Sequence, residues 1–89
     1  MRVEWDERKR LANLRKHGID FADAASVFDD PAVLTLEDLD AEDECRFVSL
    51  GRGCAGRMLI VVWAGRAEDL VRMISARHAS PGECQPYED

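Results

Sequence analysis

The chain has 89 residues, 46% apolar and 34% charged, with a net charge of −6. A chain of this length buries roughly 60 to 65% of its unfolded surface, enough for one core and not for two. Its longest apolar run, Met58 to Ala64, is far short of the ~20 residues of a membrane-spanning helix, and the N-terminus, with Arg2, Glu4 and Asp6 around Trp5, has no apolar signal region, so a cytoplasmic protein with no membrane partner is expected.

Arg2 to Trp5 alternates, with Val3 and Trp5 on one side, and predicts an edge strand. Asp6 can cap a helix in which Leu11, Ala12 and Leu14 share a face and which ends in Arg15, Lys16 and His17 before Gly18. Asp20 can cap a second helix over Phe21 to Phe28, with Phe21, Ala24, Ala25 and Phe28 at helical spacing and Asp29-Asp30-Pro31 as its stop. Four strands follow, over Ala32 to Leu36, Arg46 to Leu50, Met58 to Ala64 and Leu70 to Ser75. Short connections between them favour an antiparallel meander, with the apolar Met58 to Ala64 as its central strand. Ser80-Pro81 opens a last helix that Gly82 and Pro86 hold to one or two turns.

Charge is unevenly placed. Residues 18 to 45 hold ten carboxylates and no cation, whereas the rest of the chain is net positive and ten of its twelve cations are Arg, the residue whose planar fork meets phosphate bidentately. The acidic cluster Asp29, Asp30, Asp38, Asp40, Glu42 and Asp43 has no His and no recognised loop spacing, so it reads as a solvated loop rather than a metal site. Cys45, Cys54 and Cys84 are odd in number and match neither a disulfide framework nor a zinc motif, which makes them ordinary thiols.

Four stretches in this order, Asn13-Leu-Arg-Lys-His-Gly-Ile-Asp-Phe21, Val27-Phe-Asp-Asp-Pro31, Glu44-Cys-Arg-Phe-Val-Ser-Leu-Gly51 and Arg72-Met-Ile-Ser-Ala-Arg-His-Ala-Ser80, resemble the BrnT family of ribonuclease toxins, and Glu83 and Tyr87-Glu88 fit its C-terminal pattern. The resemblance implies a single RelE-like α+β domain over residues 1–89: a small antiparallel sheet flanked by two N-terminal helices and a short C-terminal helix. It implies the toxin of a type II toxin-antitoxin pair, a metal-independent and cofactor-free endoribonuclease that inhibits translation by cleaving RNA. Its partner would be a DNA-binding antitoxin of the BrnA kind, with operator DNA reached only through that antitoxin.

RNA can be cut without a metal if a base takes the 2′-OH proton, cations stabilise the phosphorane and an acid protonates the leaving 5′-oxygen. The candidates for that chemistry are His17, Arg46, Arg77 and Glu44, with Lys16, Arg72 and Tyr87 as RNA-binding groups and no metal ligands. Each has a plain alternative: His17 and Lys16 as the basic end of a helix, the arginines in ion pairs, Glu44 and Glu83 as solvated charges, Tyr87 as a surface ring. Trp5 and Trp63 read as core rather than as stacking platforms. Family members usually carry Arg or Lys just after the C-terminal glutamate, where this chain has Cys84, Gln85 and Pro86, so its last helix offers no basic surface. A catalytically weak subunit of an antitoxin-DNA complex is the competing reading, and an unrelated acidic adaptor a third. Convergence of Arg46, Arg72, Arg77 and His17 on one cleft is what separates the first two.

Overall fold

The structure is a computed structural model that describes residues 1–41 and 45–88. Its elements are β1 (Arg2–Glu4), α1 (Glu7–His17), α2 (Phe21–Ala24), a 3₁₀ turn (Ala25–Asp29), β2 (Leu34–Asp38), β3 (Arg46–Arg52), β4 (Met58–Ala67), β5 (Leu70–His78) and α3 (Pro81–Glu88). The five strands form one sheet in the order β1-β5-β4-β3-β2. Strands β2 to β5 make the expected meander, with β4 at the centre. The sheet is nevertheless mixed, not antiparallel throughout, because β1 pairs parallel with the first residues of β5, Arg2 to Glu4 lying beside Leu70 to Arg72.

Local chemistry sets the helix ends. Asp6 accepts from the Arg8 backbone amide and caps α1; Gly18, at φ 72°, stops it in the left-handed conformation that glycine adopts without a Cβ clash, its amide bonded to the Leu14 carbonyl. Asp20 caps α2 through the Ala22 amide. The predicted helix over Phe21 to Phe28 is a single α turn that tightens into 3₁₀ geometry, where the Ser26 hydroxyl back-bonds to the Asp23 carbonyl and receives the Cys54 amide.

Helix α2 and the 3₁₀ turn cover one face of the sheet, the inner face. There Phe21, Ala24 and Val27 pack with Leu59, Val61, Met73 and Ala76, and Trp5, Phe28 and Trp63 close the margin. Both tryptophans are structural: Trp5 meets Phe21 edge-on, and Trp63 stacks on Phe47 at 4.5 Å while its indole N–H donates to the fully buried Ser49. Gly51 permits the closest approach, since a Cβ there would stand 2.8 Å from Val27 Cγ1.

Helix α1 does not present the expected apolar stripe. Leu11 and Leu14 are exposed, and the buried member of the helix is Asn13. The reason lies in what α1 packs against. Beyond Arg72 the edge of β5 has no strand partner among the described residues, so the chain there needs hydrogen-bonding groups rather than methyls. Asn13 supplies them: its Nδ2 donates to the Ala76 carbonyl at 2.9 Å and to the Ile19 carbonyl at 3.0 Å, and its Oδ1 accepts from the Ala76 amide at 3.0 Å. Asn13→Ala should therefore leave both polar groups of Ala76 buried and unpaired, with an expected cost of about 2 to 4 kcal/mol. Urea unfolding at an unchanged m-value would measure it, and Ala at exposed Leu14 should cost far less.

Candidate RNA-binding and catalytic face

On the outer face, away from α2, side chains line up in rows across the strands. One row runs Asp38, Arg46, Ala64, Arg72, Glu4; the next runs Leu36, Val48, Val62, Ser75; a third runs Leu34, Leu50, Ile60, Arg77. Arg46 and Arg72 thus flank Ala64, their Cα atoms roughly 10 Å apart by strand spacing. Arg77 stands two rows on, at a separation of about 13 Å from Arg72 along β5.

That all three arginines share this face depends on an irregularity. Arg72 and Arg77 are five residues apart, an odd number that would put them on opposite faces of a regular strand. The register shifts between Val62 and Trp63, whose partners are Ser75 and Met73, so Ile74 is the extra residue of a β-bulge and restores Arg77 to the face of Arg72. The alternation expected for a regular strand, with Ile74 beside Arg72, is accordingly broken.

Arg72 and Arg77 are each oriented by a carboxylate. Arg72 Nη1 donates to Glu4 Oε2 on β1 at 2.5 Å. Arg77 donates from Nη1 and Nη2 to the two oxygens of Glu83 at 2.8 and 2.7 Å. Glu83 is itself fixed by a reciprocal cap at the start of α3: its Oε1 accepts from the Ser80 amide, and its own amide donates to the Ser80 hydroxyl. Arg46 is half-buried between Asp38 and Ala64 in its row. Glu44 lies outside the described residues, as do Glu42 and Asp43.

His17 and Lys16 reach the same region from the edge. Lys9, Ala12, Asn13, Lys16 and His17, spaced as one helical face, form a hollow with Ile74 and Ser75. Ser75 lies on the outer face between Arg72 and Arg77, so the histidine's hollow adjoins the arginine rows. Tyr87 is not brought there. Its hydroxyl donates to Asp30 Oδ2 at 2.7 Å, an oxygen that also accepts the Arg52 amide at 2.8 Å, and this tie raises the phenol's pKa and lowers that of Asp30. Among the described residues no group of His, Cys, Asp or Glu could hold a metal, and the three cysteines are free. Glu4, Asp30 and Asn13 are the polar groups that sequence reasoning gave no such role, since each acts on a partner remote in sequence or on a backbone edge, whereas Glu83, a candidate carboxylate in the sequence, is found on Arg77.

Residues 5–83 match the family described as the ribonuclease toxin, BrnT, of a type II toxin-antitoxin system. The chain belongs to the BrnT family of ribonuclease toxins. The fold is similar to the crystal structure of the Brucella abortus ribonuclease toxin BrnT, at 27% identity and a TM-score of 0.70, over 90% of this chain and 97% of that one. No curated relative matches. The family's α+β architecture is present here as five strands and three helices, and no described helix is long and apolar enough to cross a membrane.

The pairing of Arg77 with Glu83 has a pH signature. Two hydrogen bonds from Arg77 and one from the Ser80 amide lower the Glu83 pKa from 4.5 to about 2, and the same contact raises that of Arg77. A carboxyl depressed on folding stabilises above its unfolded pKa and loses that contribution as pH falls through the folded one. The stability difference between wild type and Glu83→Gln should hold above pH 4.5 and fade toward pH 2, as followed by denaturant titration across that range.

Proposed function

We propose that the chain is the toxin of its pair: a cytoplasmic, metal-independent endoribonuclease on a RelE-like scaffold that inhibits translation by cleaving RNA and is restrained by a DNA-binding antitoxin of the BrnA kind. The observation that carries this reading is the placement of Arg46, Arg72 and Arg77 on one sheet face, joined through Ser75 to the hollow that holds His17 and Lys16. Between the guanidinium groups the half-buried Val48 and Val62 lie next to the buried Ile60 and Ala64, an apolar patch beside arginines suited to phosphate.

In this mechanism the 2′-oxygen attacks the adjacent phosphorus as its proton is withdrawn, the bond from phosphorus to the 5′-oxygen breaks, and a proton is delivered to that oxygen. A 2′,3′-cyclic phosphate and a free 5′-OH result. His17 and Glu44 are the groups that exchange protons; Arg46 and Arg77 stabilise the phosphorane; Lys16 and Arg72 position the backbone. Arg77 and Glu83 are both substantially exposed, at 45% and 36%, so an incoming phosphate can reach the guanidinium and compete with the carboxylate for it. Tyr87 takes part only if its bond to Asp30 opens. The fixed ion pairs of Arg72 and Arg77 would equally suit a catalytically weak binding subunit, so the arginine variants decide between the two readings.

Arg46→Ala and Arg77→Ala should each lower RNA cleavage by on the order of 10²- to 10³-fold, as removal of a preorganised donor does elsewhere, while Arg52→Ala changes little. Gel assays on a defined RNA alongside growth arrest measure this, and equal activity of all three variants would place the site elsewhere. Cleavage should also survive EDTA, stop when the ribose 5′ of the scissile phosphate is replaced by deoxyribose, and fall with salt. A requirement for added Mg²⁺ would overturn the metal-independent mechanism.

A further inference from the structure

Strand β2 is the outer strand of the sheet, with β3 on one side and no strand on the other among the described residues. Its two outer-face leucines are unusually bare for a small domain, Leu34 being 40% exposed and Leu36 76%, and Leu39 in the turn that follows is 84% exposed. Together with Val48 and Val62 in the row of Leu36 they extend an apolar strip to the sheet's rim. Natural edge strands are commonly blunted by charge, proline or a covering element; between Leu34 and Asp38 there is no proline, and the charges, Glu37 and Asp38, are both acidic.

Charge identifies what fits it. The inner side of β2 carries Glu37, and Asp38 and Asp40 follow, all within the stretch of residues 18 to 45 that holds ten carboxylates and no cation. A second copy of the chain would set two such stretches against each other. In an edge-to-edge pair centred on Leu36, Glu37 would face Thr35, Asp38 would face Leu34, and no cation would meet either carboxylate. A basic strand has the opposite balance.

Resting on the toxin reading above, we infer that β2 is the docking edge for the antitoxin, which adds an extended segment as a sixth strand. Apolar residues of that segment lie beside Leu34 and Leu36 on the outer face, and a Lys or Arg on the inner side meets Glu37. The acidic half of the molecule thereby serves the partner and the arginine rows serve RNA. A strand at this position also sets the antitoxin's bulk alongside the Asp38 and Arg46 end of the outer-face row, which restrains the enzyme without an acidic plug in the site.

The probe is the purified antitoxin encoded by the neighbouring reading frame, titrated onto the whole chain. Its binding should slow hydrogen exchange of the outward-facing amides between Leu34 and Asp38. Leu36→Lys and Glu37→Lys, both at exposed positions, should weaken binding about tenfold or more, the Glu37 effect shrinking as salt rises, while RNA cleavage by the free variants is retained. Tight binding unchanged by both variants, with protection falling over Arg72 and Arg77 instead, would overturn the inference and leave the toxin reading intact. A dimer of the chain alone that Leu36→Lys separates would overturn it too, by making a second copy the occupant. Failure of the free chain to cleave RNA would sink the toxin reading, whereas protection of β2 by the antitoxin would still support the docking edge.

Discussion

A strand edge inside a protein must be satisfied, and where the three-residue β1 leaves β5 open, at Ala76, one side chain does so. Asn13 reproduces, with a single amide, what a neighbouring strand would offer Ala76. Much of the site's geometry follows from that contact. Asn13 fixes the rotation of α1, so that Lys16 and His17, three and four residues on, border the hollow lined by Ile74 and Ser75. Its second bond, to the Ile19 carbonyl, ties down the turn that launches α2 and hence Phe21 into the core.

The same contact explains why the sequence was only partly legible. Hydrophobic periodicity finds β3, β4 and β5, and the caps at Asp6, Gly18 and Asp20, because burying methyls and ending helices leave local marks. It assigns α1 the wrong face, because a helix that docks on an unpaired backbone edge is selected for amide groups, to which a count of apolar residues is blind. The arginines can be nominated from sequence as cations within strands, but their common face cannot, since it depends on an extra residue at Ile74 that alters no composition. The Glu4 pairing of Arg72 and the Asp30 anchoring of Tyr87 join residues 68 and 57 apart, beyond the reach of local pattern.

Electrostatically the chain is divided rather than simply acidic. Its net charge of −6 arises from residues 18 to 45, whereas the outer face of β3 to β5 carries guanidinium groups in rows. Two of them are held by carboxylates, from Glu4 and Glu83, at the rim of the sheet. Such pairs keep the guanidinium planes directed in the absence of a ligand, and the exposed one, Arg77 with Glu83, is open to an incoming anion. A surface so arranged can bind phosphate on a protein whose total charge would otherwise discourage it.

Parallel pairing of the first strand with the last also governs when the molecule can exist during its own synthesis. On the ribosome, β1 and α1 emerge early, yet β1 finds its neighbour, and Asn13 its acceptor 63 residues away, only after most of the chain has been made. Contacts so distant in sequence close late. The histidine and the arginines, contributed from opposite ends of the chain, are therefore assembled together at the last stage, and a nascent or truncated product does not carry the site. Under the proposed function, this topology confines RNA cleavage to finished molecules.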